Sequence, residues 1–566
     1  MTESPRGRRK DTRGTSAYLR ADDRPVEGED KTLGMFFVEA TTDNPDGVAI
    51  VSPDATWTYS QLRKEAFIVA RGMIGHGVTK GTRVAIIAPN GPEFAALFFG
   101  LSLIGAVPVP ISCFASGADI VRILQHSDAA AAFIYRGVGG RQLVSEFRSV
   151  VPDLGLRGGS GLALETLPQL RSVWVVPKRR SNERGSSWGS IEKAAQRVPE
   201  KVVKAALRDV QPTDDGVVLY TSGSTGKPKG VVHFQRGPVV IGYCWRDYLE
   251  LTSQDRIFGT MPWFWSGGFG KHLCAGMAAR STLIVLDRFR PTKALGLLTK
   301  ERATGIFVPA HHEVEIAETA RAGKIDLSFV QRFRPDGSLK DVVPDGIPKK
   351  KVEGGYGLTE MCSFATGRPD KGPPDDPTDQ GPPLPGVSIR IVRGDGTTAA
   401  RAEQGQIAIG GPALFSHYQK GSAADRRDPD GLFFTGDLGH LDDAGHLHWE
   451  GRSDSMIRSR GVLISPVEIE EILMASGLVK IAKVVGVLDP LGETVPALFA
   501  VRHRSSLVTE AAIVTLLRSR LPDYKVPKSV TFIPEADLEW TQSQKVQIQA
   551  LDALVKRAVV QPLDDE

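Results

Sequence analysis

The chain has 566 residues, too many for one ordinary domain, so two or three domains with ample core are expected. Hydrophobic residues make up 41% and charged residues 24%, the balance of a soluble globular protein and not of a disordered or fibrous one. A net charge of +4 is small for this length and gives no case for a nucleic-acid partner.

Much of the positive excess sits at the start, in "MTESPRGRRKDTRGTSAYLR". That stretch is polar, basic and without apolar periodicity, so residues 1–31 are expected to form a flexible basic arm. It has no apolar core for a secretory leader, and Glu3, Asp11, Asp22 and Asp23 argue against a transit peptide. From about residue 32 the pattern becomes α/β. "GVAIVS" (47–52) reads as a strand, and "WTYSQLRKEAFIVARGMIGHG" (57–77) as a helix stopped by glycine. "RVAIIAPN" (83–90) is the next strand. The uncharged run "FAALFFGLSLIGAVPVPI" (94–111) is 18 residues long, at the lower limit for a membrane span. Pro108 and Pro110 break its last third, so a core helix over 92–105 followed by a short buried strand is expected, with no membrane span.

"AAAAFIY" (129–135), "SVWVV" (172–176) and "GVVLY" (216–220) are further strand candidates. "STLIVL" (281–286), "KALGLLTKERA" (293–303) and "GIFVPA" (305–310) repeat strand, helix, strand. Such alternation implies a largely parallel sheet with helices on both faces. Two intervals, 176–190 and 367–386, read as loops; the second is too rich in Pro, Gly and Asp for regular structure. After it come strand-rich segments: "SIRIV" (388–392), "GQIAIGG" (405–411) and "GHLHWEG" (445–451). A smaller α/β stretch runs from about 455 to the end. Cys113, Cys244, Cys274 and Cys362 lie far apart without metal-ligand spacing, so free thiols in a reducing cytoplasm are expected.

The most specific segment is "TSGSTGKPKG" (221–230): three glycines, two lysines and four hydroxyl side chains. Glycines let backbone N–H groups approach phosphate oxygens, and the lysines add charge. It is not the P-loop of nucleoside triphosphatases. The glycine ahead of Gly226-Lys227 is three residues away, not five, and Pro228 stands where a Ser or Thr should follow the lysine. "GVVLY" precedes it and "GVVHF" follows, so it joins two strands and has no helix terminus behind it.

"LYTSGSTGKPKG" resembles the phosphate loop of the adenylate-forming superfamily, which includes acyl-CoA synthetases, peptide-synthetase adenylation domains and luciferases. "GYGLTE" (355–360), "FFTGDLG" (433–439), "GRSDSMIRSRGVLISPVEIE" (451–470) and "WTQSQK" (540–545) follow in the family's order. The resemblance implies a large N-terminal domain (32–453) of parallel and mixed sheets flanked by helices, with a β-rich subdomain. It also implies a small mobile α/β C-terminal domain (454–566). The implied cofactors are ATP, Mg2+ and coenzyme A, and the implied partners are a small carboxylic acid and CoA, or an acyl-carrier protein in place of CoA.

By the same resemblance, Lys545 bridges the carboxylate and the α-phosphate, two anions that must meet at bonding distance. Thr221, Ser222, Gly223, Ser224, Thr225, Gly226 and Lys229 would cradle the phosphates. Glu360 would hold magnesium, with Thr221 beside it, because a hard cation prefers oxygen. Thr359 would contact the α-phosphate. Tyr356, followed by Gly357, would stack on adenine. Asp437 would accept the ribose hydroxyls, and Arg452 would reach the ribose or phosphates. Asp454 would be the hinge, and Arg458 and Gly461 would lie on the CoA side. Where the family has its small adenine-side loop this chain has "RFRPDGSLKDVVPDGIPKKK" (332–351), with only Gly337-Ser338 as a remnant of it, and Gln544 replaces the usual glycine before the lysine.

"MPWFWSGGFG" (261–270) resembles the family's acyl-pocket wall. Trp263, Phe264 and Trp265 are expected to line it, with Gly267 and Gly268 leaving room. Amino-acid-activating relatives carry an aspartate near Trp265 to pair with the ammonium. An indole does not do this, so the implied substrate is a medium- or long-chain or aryl acid. His311 and His312 are expected nearby, without a metal-binding role.

Overall fold

The computed structural model describes residues 16–20, 25–154, 159–176, 186–222, 228–334, 337–344, 355–367, 376, 378–421, 425–453, 456–459, 462–488, 494–503, 507–538 and 546. Two five-stranded, mainly parallel sheets build the larger part of the chain. In the first, Val107–Ile111, Arg83–Ile87, Ala131–Tyr135 and Ser172–Val176 run parallel in that order, and Gly159–Ser160 closes the edge antiparallel. In the second the order is Gly305–Phe307, Arg256–Gly259, Thr282–Val285, Val48–Ser52 and Ala55–Thr58, with only the last antiparallel. Their central strands are buried on both faces, which is why they read as continuous apolar runs and not as alternating patterns.

Helix Tyr59–Gly75 starts at a capping box: Thr58 accepts from the Gln61 backbone, and the Gln61 side chain accepts from the Thr58 backbone. The 94–111 run divides as its prolines dictate, into helix Pro92–Ser102 and strand Val107–Ile111, both buried. No helix among the described residues is long and apolar enough to cross a membrane. All four cysteines are buried free thiols.

Two expectations need correction. Residues 186–190, read as loop, open the helix Ser186–Arg197. Local composition favours a loop there, but Ile191 and Ala194 are fully buried against helix Tyr59–Gly75. The approach is so close that a Cβ on Gly72 would meet Ile191 Cγ2 at 2.4 Å. Tertiary burial therefore overrides a weak local preference. The arm is also shorter than residues 1–31. Tyr18–Leu19 pairs antiparallel with Ile389 and Arg390, Ala17 is fully buried, and Lys31 forms a 2.6 Å ion pair with Glu39.

A third sheet is wholly antiparallel: Tyr18–Leu19, Ser388–Val392, Gly405–Gly410, Phe433–Leu441 and Leu447–Arg452. Arg332, at the start of the 332–351 segment, is fully buried and paired with Asp255 at 3.1 Å. It also donates to the carbonyls of Leu249 and Glu250. Burial alone would raise the Asp255 carboxyl, but Arg332 and the Thr252 backbone outweigh it and hold it below its usual range.

Beyond residue 456, strands Ile481–Leu488, Thr494–Val501 and Ser529–Phe532 form a small sheet with helices Pro466–Ala475 and Glu510–Arg520. Ile464, Ile469, Leu473, Leu498, Ile513 and Leu517 belong to a hydrophobic cluster with no member before Ile457. On helix Pro466–Ala475, burial together with the charges of Glu470 and Asp376 pushes the Glu471 carboxyl up to about 7. A carboxyl that holds its proton more tightly when folded lends stability at low pH. That stability is lost as pH rises from the ordinary carboxylate range, about 4.3, through about 7. Glu471→Gln is therefore expected to stabilise the protein by about 1–3 kcal/mol at pH 8 and far less at pH 4.5. Urea midpoints at the two pH values check this, and an equal shift at both would contradict it.

Candidate active site

Strands Asp215–Ser222 and Pro228–Phe234 pair antiparallel, with Ser222 opposite Pro228 and Thr221 opposite Lys229. "TSGSTGKPKG" thus connects two strands, as its flanks imply. Gly223, Ser224, Thr225 and Gly226 lie outside the described residues, as does the side chain of Ser222. The next strand, His417–Tyr418, pairs with Val231 and Val232 and puts Tyr418 beside this hairpin. Lys229 Nζ stands 5.2 Å from the Tyr418 ring centre, and the Tyr418 hydroxyl donates to Glu360 Oε1. Burial and the Glu360 charge push the Tyr418 hydroxyl pKa up, so it stays a donor.

Glu360 sits in the tight turn Thr359–Met361, between the paired segments Gly357–Leu358 and Ser363–Phe364. Its backbone carbonyl accepts from Phe415 N at 2.8 Å. Thr359 Oγ1 lies 3.3 Å from Ser266 Oγ, which joins the "GYGLTE" turn to the end of the aromatic run. Sequence reasoning missed Tyr418 as a partner of Glu360, and no spacing pointed to it. It also passed over Ser266, although that residue directly follows Trp265.

The third grouping joins two residues read as separate. Asp437 and Arg452 are cross-strand neighbours in the antiparallel sheet. Asp437 is 5% exposed; its Oδ2 accepts from the Tyr356 hydroxyl, and its Oδ1 has no hydrogen-bond donor among the described residues. Arg452 Nη1 is 3.5 Å from Oδ1, within ion-pair range, while donating to the Thr435 carbonyl at 2.9 Å. Gly436 has φ +79°, and a Cβ there would crowd Arg452 Nη2 at 3.1 Å, so the glycine of "TGD" fits both turn and neighbour. Burial pushes the Asp437 carboxyl up, opposed by the Tyr356 hydroxyl and the Arg452 charge. Tyr356 is itself buried, and burial beside Asp437 keeps its hydroxyl protonated.

These donor sets suit a nucleotide and a hard cation. The buried Oδ1 of Asp437 has the Arg452 charge nearby but no hydrogen-bond donor among the described residues, and a ribose hydroxyl would supply one. Glu360 and Thr221 offer the oxygen chemistry that Mg2+ prefers, with most of its remaining ligands coming from phosphates and water. Among the described residues, no group of three or more His, Cys, Asp or Glu side chains could hold a metal ion without such help.

A cavity of about 600 Å³ opens beside this region. It lies past the carboxyl ends of strands from both parallel sheets, where open α/β sheets place their ligands: Asn90 follows Arg83–Ile87, and Thr260 follows Arg256–Gly259. Phe264 and Trp265 line it, together with Phe114, Phe289, His311 and His312. His312 stacks on Phe289 with ring centres 3.6 Å apart and meets Thr260 Oγ1 at 2.8 Å; burial pushes its pKa down to about 3.

Trp263 and Gly268 do not line the cavity. Trp263 is fully buried in the core, its indole N–H donating to His272 and its backbone N–H to Asn90. Successive side chains of the run point to different sides, which no composition argument could foresee. Gly268 does not leave room for a ligand: a Cβ there would strike the Pro262 carbonyl oxygen at 2.3 Å. Gly267 is less closed: a Cβ there would meet only the end of the flexible Met261 side chain, Cε at 2.6 Å. Lys545, Asp454 and Gly461 lie outside the described residues. Arg458 belongs to strand Ile457–Ser459, opposite Leu463; nothing of its side chain is described.

The AMP-binding enzyme family matches residues 37–419, and the AMP-binding enzyme C-terminal domain matches residues 468–545. An indoleacetate–CoA ligase from Aromatoleum aromaticum is 28% identical over 501 residues, covering 87% of this chain and 92% of that protein. A medium-chain fatty-acid–CoA ligase from Escherichia coli is 27% identical over 555 residues, covering 95% and 93%. The fold is similar to that of the anthranilate CoA ligase AuaEII in complex with anthranoyl-AMP, with a TM-score of 0.78, 20% identity, and coverage of 95% of this chain and 99% of that one. Five motifs in one order, the paired Asp437 and Arg452, and a match over most of the chain lead to one conclusion: the protein belongs to the AMP-binding enzyme family, the adenylate-forming enzymes.

Proposed function

We propose that the protein is an ATP-dependent acid–thiol ligase, which activates an alkyl or aryl carboxylic acid as its acyl-AMP and passes the acyl group to coenzyme A. The observation that carries this reading is the 3.3 Å contact between Ser266 and Thr359. It sets the aromatic segment against the phosphate-contacting turn, so that an acid and ATP can meet there. In the first step a carboxylate oxygen attacks the α-phosphorus and the bond to pyrophosphate breaks. Asp437 and Arg452 hold the ribose, Thr359 and the 221–230 hairpin hold phosphate oxygens, and Lys545 screens the two anions from each other. Glu360 and Thr221 would hold Mg2+, which neutralises phosphate charge when bound. In the second step a thiol sulfur attacks the acyl carbonyl carbon and AMP leaves. The C-terminal unit, 454–566, turns about Asp454 between steps and brings Arg458 and Gly461 to the thiol side.

Arg141 and Arg288 also line the cavity, which suits a phosphate-bearing thiol better than a hydrocarbon tail. We therefore assign the cavity to the thiol arm and the opposite side of the Trp265–Gly268 turn to the acyl group, with Trp265 as the shared wall. Burial of about 0.8 kcal/mol per methylene favours an acid of several carbons, or an aryl acid, over acetate. The relatives named above, with an arylacetate and a medium-chain acid as substrates, support that range.

A panel of carboxylic acids with MgATP is expected to release pyrophosphate and AMP in equal amounts, and to give hydroxamate when hydroxylamine is added. Free CoA is expected to yield the thioester without a carrier protein. ADP appearing without AMP would overturn the proposal.

A further inference from the structure

We propose that Asn90 is a positioning residue for thiol transfer: its side-chain amide fixes the turn that carries Trp265, the wall shared by the thiol arm and the acyl group. This rests on the acid–thiol ligase reading above and adds to it a residue that belongs to none of the five motifs.

Residues 260–265 lead from strand Arg256–Gly259 to the helix that starts at Ser266 without regular structure of their own. Backbone groups in such a turn find no ladder or helix partner, and burial makes them costly unless side chains pair with them. Asn90 does so twice. Its Nδ2 donates to the Met261 carbonyl at 2.9 Å, and its Oδ1 accepts from the Trp263 backbone N–H at 2.7 Å. One amide thus serves an acceptor and a donor two residues apart, as a neighbouring strand would. A side-chain amide offers both functions in one plane without a charge, which suits this pair. Asn90 is 7% exposed and follows strand Arg83–Ile87 of the other parallel sheet, so its two bonds tie the sheets together at the cavity it lines.

The clamp accounts for which aromatics face the cavity. Trp263 is held against helix Pro92–Ser102, edge-on to Phe94 with ring centres 5.7 Å apart, and its indole N–H goes to His272. With Trp263 anchored in the core, Phe264 and Trp265 reach the cavity, nearly perpendicular and 5.3 Å apart. Ser266 comes next and meets Thr359 at 3.3 Å. The Asn90 bond to Trp263 therefore acts on a segment that ends at the reacting centre. The Thr359–Met361 turn has support of its own, because Phe415 N donates to the Glu360 carbonyl at 2.8 Å. Loss of the clamp should loosen the wall more than the phosphate site. A thiol sulfur attacking an acyl carbonyl needs close alignment, and a misplacement of about 1 Å can cost about 10²-fold.

The test separates the two half-reactions of the full chain, with the best acid of the panel above. The burst of pyrophosphate without CoA counts active sites and gives the adenylation rate. Synthetic acyl-AMP and CoA then give the transfer rate per active site. Asn90→Asp keeps the shape but turns a carboxylate oxygen on the Met261 carbonyl, and Asn90→Leu removes both bonds. Each is expected to slow transfer by about 10- to 100-fold and adenylation by no more than about threefold. Asn90→Gln, which keeps the amide on a longer arm, should regain part of the transfer rate. Because rates are counted per active site, a lower yield of folded variant does not alter them. Equal losses in both half-reactions, or wild-type transfer in Asn90→Asp, would overturn this proposal and leave the ligase reading intact. A wild type that releases no pyrophosphate with any acid would sink both.

Discussion

Lys545→Ala is expected to reduce acyl-adenylate formation by about 10³-fold, with ATP affinity changed little. The acid carboxylate and the α-phosphate are both anionic, and their approach in a site of low effective dielectric is opposed by several kcal/mol. A cation placed between them acts mainly where the two close to bonding distance, so its removal should appear in kcat and not in the binding of either substrate. Pyrophosphate release with a good acid substrate measures the loss, and equilibrium binding of ATP measures what remains. A second assay isolates the step. Supplied with synthetic acyl-AMP and CoA, the variant should still form thioester, because phosphorus chemistry is then complete. A normal adenylation rate in Lys545→Ala would remove the lysine from the reaction.

Asp437→Ala is expected to lower kcat/KM for ATP by about 10²- to 10³-fold, mostly through KM. The carboxylate is buried, receives the Tyr356 hydroxyl on one oxygen, and has no hydrogen-bond donor among the described residues on the other. Two ribose hydroxyls bound to a charged acceptor contribute about 1.5–3 kcal/mol each. A cycle with nucleotide analogues separates recognition from folding. The wild type should discriminate ATP from 2′-deoxy- and 3′-deoxy-ATP, and Asp437→Ala should not. Equal discrimination in both proteins would show that the ribose is bound elsewhere. Tyr356→Phe keeps the ring and removes only the hydroxyl, so its effect measures how far the tyrosine acts through Asp437.

Much of the fold was legible because its signals are local. Continuous apolar runs gave the parallel strands, and the prolines at 108 and 110 divided an apparent membrane span into helix Pro92–Ser102 and strand Val107–Ile111. Apolar flanks gave the hairpin that carries the 221–230 loop. Segments whose structure depends on remote contacts were misread. Residues 186–190 have loop composition, yet they are helical because Ile191 and Ala194 pack into helix Tyr59–Gly75. Tyr18–Leu19 looks like part of a tail, yet it is a sheet edge because Ser388–Val392 offers it a free row of backbone groups.

The candidate site divides in the same way. Residue types and their order are readable in the chain alone: the hydroxyl-rich loop, "GYGLTE", "TGDLG", "GRSD" and the late lysine, hence phosphate and carboxylate chemistry. Tertiary structure alone decided who touches whom. It joined Tyr356 to Asp437 across 81 positions, put Tyr418 on Glu360, and set Ser266 against Thr359. It also sent Trp263 into the core while Phe264 and Trp265 reached the cavity, and it made Gly268 a packing residue. The reason is that composition fixes the chemistry a side chain offers. Its direction and partners depend on burial against elements far away in the chain, and no local pattern encodes those.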